Sequence, residues 1–409
     1  LPSSVTGPVV IVLHGEFHNH INFTSNGSAM APVYVTTFQQ NYPARLTARF
    51  TLKGSYLTVE HLWFGPANDG DTDFGVDMYE GSHHLVVRHN TFRGNNNRSG
   101  GIGIGSWSYN GNAEVTNVVI DDNDIQSIGD VRASSDQDAH CININGSSSQ
   151  IWITHNQLAY CSGDGVQVEA QDGRSSKIHH IYIGKNHLHH NRQSGAWVKN
   201  ASDVIISQNK AHDFRSNSGG PGACFGHQYG ANYVWYLFNE AYNCNIGINI
   251  GGTTSASEFT FVLGNLLHTL NSEFQNNIYL AGAINIRGTK TAYVANNTIY
   301  KTDAGVIFIN DSGLQQVHFQ SNIVSPRTDP ALSDVYIKNC TFVPAYNLFS
   351  ADARFENAEG GDFRLKSDSP ARGTGDVSAA YGIFKSRYNI DIFVNFEGAP
   401  RSLLNQGAY

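Results

Sequence analysis

One phrase recurs along this chain and limits what it can fold into. A Gly, Cys or Ala opens a four-residue alternating strand, a polar turn follows, a second β-rich strand comes next, and an Asn closes the unit. It reads Gly75-Val76-Asp77-Met78 with Leu85-Val86-Val87-Arg88-His89-Asn90, then Cys141-Ile142-Asn143-Ile144 with Ile151-Trp152-Ile153-Thr154-His155-Asn156. It returns at Gly165-Val166-Gln167-Val168, Gly195-Ala196-Trp197-Val198, Gly247-Ile248-Asn249-Ile250, Ala283-Ile284-Asn285-Ile286 and Gly305-Val306-Ile307-Phe308. Openings at 141, 165 and 195 are 24 and 30 residues apart, and those at 283 and 305 are 22 apart. A period in this range means a solenoid or a propeller.

The strands are short, one face alternates strictly, and no Asn-Gly or Asp-Gly hairpin signal falls inside a unit, so the coils are expected to stack in parallel. The predicted fold is all-β, a right-handed parallel β-helix solenoid. A single coil cannot bury its own apolar face, so Val166, Val168, Ala196 and Val198 are expected to pack on the coils above and below. The closing Asn90, Asn123, Asn156, Asn186, Asn209, Asn265, Asn297 and Asn322 are expected to form an amide ladder at one corner. Residues 1–70 are less regular and read as the first coils and a cap. Residues 71–345 carry the periodic coils and a groove, and residues 346–409 lose the period and read as a segment packed on the solenoid. No Pro/Ser linker divides the chain, so one domain is expected.

Composition narrows the function. Only 15% of residues are charged and 41 are Gly, which excludes helix bundles and coiled coils. A net charge of -8 argues against a nucleic-acid partner, which would call for a basic face. No apolar run reaches membrane-spanning length, so no membrane partner is expected, and Leu1-Pro2-Ser3-Ser4 shows no basic-then-apolar leader. Two Met, few Lys and many Asn, Ser, Thr and Tyr lean toward a secreted or periplasmic protein. Five Cys without a CxxC argue against a disulfide framework or a zinc site. Cys141/Cys161 and Cys224/Cys244, each 20 apart, either meet on neighbouring coils or remain free buried thiols.

The opening Val9-Val10-Ile11-Val12-Leu13-His14-Gly15-Glu16-Phe17, Ser25-Asn26-Gly27-Ser28-Ala29-Met30-Ala31-Pro32-Val33-Tyr34-Val35 and Leu52-Lys53-Gly54-Ser55-Tyr56-Leu57 resembles the start of secreted bacterial enzymes of the pectate-lyase-like β-helix superfamily. The late Asp362-Phe363-Arg364-Leu365-Lys366-Ser367-Asp368-Ser369-Pro370-Ala371 is similar to a tail found on many of them. The resemblance implies a polysaccharide substrate lying along a groove on one parallel sheet. It is specific for the superfamily and does not select one activity.

On that implication the outward positions of the opening strand are where chemistry belongs. Counting the opening residue as zero, the second position gives Asp77, Gly103, Asn143, Gln167, Trp197, Cys224, Asn249 and Asn285. The fourth gives Tyr79, Gly105, Asn145, Glu169, Lys199, Gly226, Gly251 and Arg287. Adjacent coils lie about 4.8 Å apart, so Glu169 and Lys199 become stacked neighbours. The preceding turns add Asp136, Asp138, His140, Asp164 and Arg192, and a later strand end adds His227 and Tyr229. Charged residues are scarce here, yet acids, bases and an aromatic fall within a few coils.

A uronate lyase must neutralise the C6 carboxylate, remove the C5 proton and protonate the leaving oxygen. Lys199 is the candidate base, Arg192 the carboxylate fork, and His227 or Tyr229 the proton donor. Glu169 and Asp164 complete the catalytic set and are also a candidate oxygen pair for calcium, the one cofactor suggested. Trp197 reads as a sugar-stacking platform, with Gln167, Asn143, Asp138, His140 and Arg287 as further substrate contacts. The alternative is a glycoside hydrolase using Asp138, Asp164 and Glu169, which would flank the scissile bond. Against it, Cys161-Ser162-Gly163-Asp164-Gly165 lacks the paired Asp of polygalacturonases. A noncatalytic binding solenoid is the third class, and predicts a polar face without mixed acids and bases.

Overall fold

The computed structural model describes residues 3–39, 41–66, 75–98, 100–106, 108, 111–170, 177–251, 256–270, 281–325, 334–401 and 404–409. Leu1, Pro2 and the expected boundary between residues 70 and 71 lie outside the described residues. The chain divides into two compact units, one comprising Leu1–Ile205 with Asn217–Gly220, the other Ile206–Ser216 with Pro221–Tyr409. Both are built of parallel β-helix coils.

In the first unit each coil lends one strand to each of three parallel sheets. One sheet takes Val9–Leu13, Val33–Thr37, Ser55–Glu60, His83–Arg88, Val115–Asp121, Ser148–Thr154 and Ile178–Gly184 in that spatial order. Another takes Ile21–Phe23, Arg49–Leu52, Gly75–Met78, Ile102–Ile104, Ile142–Ile144, Val166–Glu169 and Ala196–Lys199. The alternation decides the register, because only one pairing puts every apolar residue inside. Val76, Ile102, Ile142, Val166 and Ala196 therefore pair in one column, and Met78, Ile104, Ile144, Val168 and Val198 in the next, all buried.

The amide ladder forms as the repeat predicts. Oδ1 of Asn123 accepts from the backbone N–H and Nδ2 of Asn90, both at 3.0 Å, and Asn156 and Asn186 repeat the bond on the next coils. Nδ2 of Asn123 also donates to the Val87 carbonyl at 2.9 Å, so the side chain satisfies backbone groups that the bend would leave bare. The residues just before, His89, Asp122, His155 and Lys185, sit at φ of 54, 51, 56 and 58 and turn the corner. In the second unit the ladder runs from Asn209 through Asn239, Asn265, Asn297 and Asn322 to Asn347.

Cys141–Cys161 and Cys224–Cys244 are disulfides, the bridged alternative of the two left open for these pairs, and Cys340 is free; the reading of five Cys as no disulfide framework is thereby corrected. The odd count concealed two pairs and one leftover thiol.

In the second unit Trp235, Phe261, Tyr293 and His318 share one register column, and their rings stack at 3.5, 5.4 and 4.7 Å. The helix Ala379–Tyr388 lays Phe384 edge-on against Trp235, 4.8 Å away, and covers that end of the column. The antiparallel strands Phe355–Asn357 and Asp362–Leu365 place Phe363 against His268 and Tyr300. The tail thus packs on its own unit's coils, although the period persists as far as Leu348–Phe349. Among the described residues no helix is long and apolar enough to cross a membrane.

Candidate active site

The site lies on the first unit, along the outer face of the sheet that includes Val166–Glu169 and Ala196–Lys199. Its outward row pairs Asp77, Gly103, Asn143, Gln167 and Trp197, as the alternation requires. Glu169 and Lys199 pair as well, and Lys199 Nζ lies 3.2 Å from Glu169 Oε2. Gly103 has no side chain, and a Cβ there would stand 2.8 Å from Asp77 Oδ1, so this position is a notch beside a carboxylate that Arg49 pairs.

The turns before these strands stack His140, Asp164 and Ser194 over three coils. Asp164 is 1% exposed; its Oδ1 accepts from Ser194 Oγ and its Oδ2 from Gln167 Nε2 at 3.3 Å. Burial raises its pKa above the ordinary value, and His140, Ser194 and Lys199 pull it back down. The Asp164 backbone N–H donates to His140 Nδ1 at 2.8 Å, so Nδ1 is an acceptor and Nε2 is the nitrogen that carries hydrogen. Nε2 faces Asp138 Oδ1 at 3.4 Å. The imidazole is seated on Gly163, where a Cβ would come within 2.4 Å of Nδ1. The Cys141–Cys161 bridge and the bond from Gly163 N–H to the Ala139 carbonyl, 2.7 Å, tie the two turns together.

Asp138, at φ 51, holds a largely exposed carboxylate at the mouth of this network. Gln193 Nε2 donates to both Asp136 Oδ2 and Asp138 Oδ1 at 2.9 Å and fixes the pair. Neither Gln193 nor Ser194 was singled out from sequence. Their signal was positional: they precede Gly195 as Gly163 and Asp164 precede Gly165.

Several expectations need correction. Arg192 is buried, and its guanidinium donates to the Ser135 carbonyl at 2.6 Å and to Ser218 Oγ at 3.0 Å, so it struts two turns and is not presented as a carboxylate fork. Trp197 holds the predicted row position but is only 7% exposed, too covered to be an open sugar platform. Gln167 is equally buried, and its amide holds Asp164. Asn143 is half-buried in the row, with its Oδ1 unpartnered.

His227, Tyr229 and Arg287 belong to the second unit. Gly226 pairs with Asn249 there, which makes Cys224 the opening residue of its coil and not an outward one. His227 consequently pairs with Ile250 in the core. Its ring contacts Tyr236 Oη at 3.0 Å and Thr260 Oγ1 at 3.2 Å, and burial drives its pKa down to about 3, so it is no surface proton donor. Tyr229 is exposed in the following turn at φ 59, and Arg287 pairs with Asp311 at 3.6 Å.

Of the candidate calcium ligands, the Asp164 carboxylate accepts from Ser194 Oγ and Gln167 Nε2, and the Glu169 carboxylate faces the Lys199 ammonium. Within either unit, no three His, Cys, Asp or Glu ligand atoms of the described residues gather within 4.8 Å of one another.

The fold is a parallel β-helix. No protein-family model matches the sequence, and no curated protein matches it either. Among solved structures, the chain is similar to a double mutant of the periplasmic alginate epimerase AlgG (TM-score 0.56, 14% identity, covering 80% of this chain and 77% of that one). It is also similar to the A-module of the Azotobacter vinelandii mannuronan C-5 epimerase AlgE6 (TM-score 0.50, 15% identity, 83% and 91% covered). A third is the PL6 family alginate lyase AlyGC (TM-score 0.50, 12% identity, 89% and 53% covered).

Proposed function

We propose that the protein is a polysaccharide lyase that cleaves a uronate-containing chain by β-elimination. The observation that carries this reading is the run of acid and base groups over three consecutive coils, from Asp138 through His140 and Asp164 to the Glu169–Lys199 pair. Lys199, as the neutral amine, is the base that takes the C5 proton, and Glu169, 3.2 Å away, orients it and pairs with the ammonium that results. His140, whose Nδ1 is tied to a backbone N–H, holds the Asp138 carboxylate 3.4 Å from its Nε2, and the exposed Asp138 is the group of this network that meets the substrate beside the leaving oxygen. Asp164 and Ser194 hold the turn beneath it. The two disulfides suit an oxidising compartment, secreted or periplasmic.

The hydrolase reading is less well supported. Its two carboxylates must face each other across a glycosidic bond. The His140 ring stands between Asp138 and Asp164, 3.4 Å from one and 3.6 Å from the other, and fills the space a sugar would need.

The test is absorbance near 235 nm during incubation with alginate, pectate and glycosaminoglycans, beside a reducing-end assay. An unsaturated uronate is expected, with Lys199→Ala slower by about 10²- to 10⁴-fold, the scale of a lost general base. Lys199→Arg keeps the charge and is expected to be equally impaired. Reducing ends without absorbance would overturn β-elimination, and C5 inversion without either signal would mean that the abstracted proton is replaced.

A further inference from the structure

The turn that carries Asp138 is the long connection of residues 129–141 between the strands Asp124–Ile128 and Ile142–Ile144, and it has no helix or strand of its own. It is held instead by a dipeptide from two coils further along the sheet. Arg192 Nη1 donates to the Ser135 carbonyl at 2.6 Å. Gln193, the next residue, spends both hydrogens of its amide nitrogen on the same turn, one on Asp136 Oδ2 and one on Asp138 Oδ1, each at 2.9 Å. The far side of the Arg192 guanidinium is fixed as well, with Nη2 on Ser218 Oγ at 3.0 Å, in the segment Asn217–Gly220 of the same unit. Main-chain bonds set the reach of Gln193. Its N–H donates to the Gly163 carbonyl at 3.2 Å, and the Gly163 N–H donates to the Ala139 carbonyl at 2.7 Å. Gln193 is thus tied, through the glycine on which His140 sits, to the residue that follows Asp138.

The two oxygens of Asp138 consequently have different surroundings. Oδ1 accepts from Gln193 Nε2 at 2.9 Å and faces His140 Nε2 at 3.4 Å. Among the described residues Oδ2 has no partner, and the side chain is 57% exposed. A carboxyl group held by one oxygen presents the other.

Charge develops on this group during the reaction. As Asp138 gives its proton to the leaving oxygen it becomes a carboxylate, and an N–H already aimed at Oδ1 bonds the anion more strongly than the neutral acid. An interaction that strengthens on the way to the transition state raises kcat and leaves substrate binding nearly alone.

We propose that Gln193 is a positioning residue for proton transfer to the leaving group: it turns Asp138 so that Oδ2 meets the glycosidic oxygen, and it stabilises the carboxylate that forms. The proposal rests on the reading that Asp138 serves a uronate lyase. In that reaction the neutral Lys199 amine takes the C5 proton, and the C5–H electron pair becomes the double bond between C4 and C5. The C4–O pair leaves with the glycosidic oxygen, which takes the proton from Asp138 Oδ2. Arg192 anchors the same turn at Ser135 without touching either acid.

Steady-state kinetics of wild type, Gln193→Ala, Gln193→Glu, Asp138→Asn and the double variant Gln193→Ala/Asp138→Asn test it, with melting curves to check folding. The rate is the rise in absorbance near 235 nm on the polymer that the wild type cleaves. Gln193→Ala is expected to lower kcat by about ten- to hundredfold with KM within about threefold. That is less than the roughly 10²- to 10³-fold of a donor in a closed oxyanion site, because Asp138 is open to water. Gln193→Glu keeps the length, removes the donor and adds a third carboxylate, and should be at least as slow. In the Asp138→Asn background Gln193→Ala should change kcat by less than about twofold, since the group it acts on no longer transfers a proton. Wild-type kcat in Gln193→Ala or Gln193→Glu would overturn the assignment. So would losses that multiply in the double variant, the pattern of a residue that only holds the fold. A wild type that releases reducing ends without absorbance ends the lyase reading alone. The same cycle read on reducing ends then decides Gln193, because a departing glycosidic oxygen takes a proton in hydrolysis as well.

Discussion

His227 offers a quantitative check on how this core is built. Its imidazole is buried in the second unit with both nitrogens engaged, one by Tyr236 Oη and the other by Thr260 Oγ1. A second ring proton would have no acceptor and would place a charge in apolar surroundings, hence a pKa of about 3 in place of 6.5. In the unfolded chain the same residue titrates near its ordinary value, so between pH 6.5 and 3 the unfolded state binds the extra proton. The stabilisation is full above pH 6.5 and is lost as pH falls toward the folded pKa, at about 1.4 kcal/mol per pH unit. Between pH 6.5 and about pH 4.5 this residue alone should remove about 2.5 kcal/mol. His227→Gln retains one donor and one acceptor but cannot titrate. It should be less stable than wild type at pH 7 by about 1–3 kcal/mol for imperfect hydrogen bonding, and the gap should close by about 2.5 kcal/mol at pH 4.5. Urea unfolding followed by Trp fluorescence at the two pH values measures this, since other titrating groups are common to both proteins and cancel. A gap that stays constant with pH would refute the buried, neutral assignment.

Gly163→Ala should act on the candidate site through its neighbour. The new methyl would stand 2.4 Å from His140 Nδ1, so the ring must leave its seat and the Asp164 N–H its acceptor; turnover should fall at least about tenfold, and the melting temperature should fall as well. Initial rates against those of His140→Ala check it, and undiminished turnover would remove His140 from the mechanism. Asn156→Leu should weaken the first unit itself. It orphans the Asn123 backbone N–H and the Ile120 carbonyl, each costing about 1–3 kcal/mol, and a melting temperature within a degree or two of wild type would refute the ladder as a stabilising element.

The contrast between what was legible and what was not follows from which physical rule each residue obeys. A period of two fixes which side of a strand a residue takes, and like-on-like stacking then fixes the register, so Asn143, Gln167 and Trp197 fall in one row and Glu169 meets Lys199 as the alternation required. The Asn ladder was equally legible, because a buried bend must satisfy its backbone groups and a repeated amide does so on every coil. Parity does not say what lies over a face, and so Trp197 points outward and is still covered. It also fails when the opening residue is misplaced. Counting Cys224 as outward, when it opens its coil as Cys141 does, turned the core residue His227 into an apparent surface acid. Arg192 failed for another reason, since composition shows that a charge is rare but not whether a neighbouring turn has already taken its hydrogen bonds. The same reasoning explains why His140 outranks the residues that looked more reactive in sequence. Its position depends on a glycine one coil away, a disulfide and a backbone N–H, three constraints that act across coils and become apparent only when the coils are stacked. A side chain held by that many independent contacts is pre-organised, and pre-organisation is what a proton-transfer step requires.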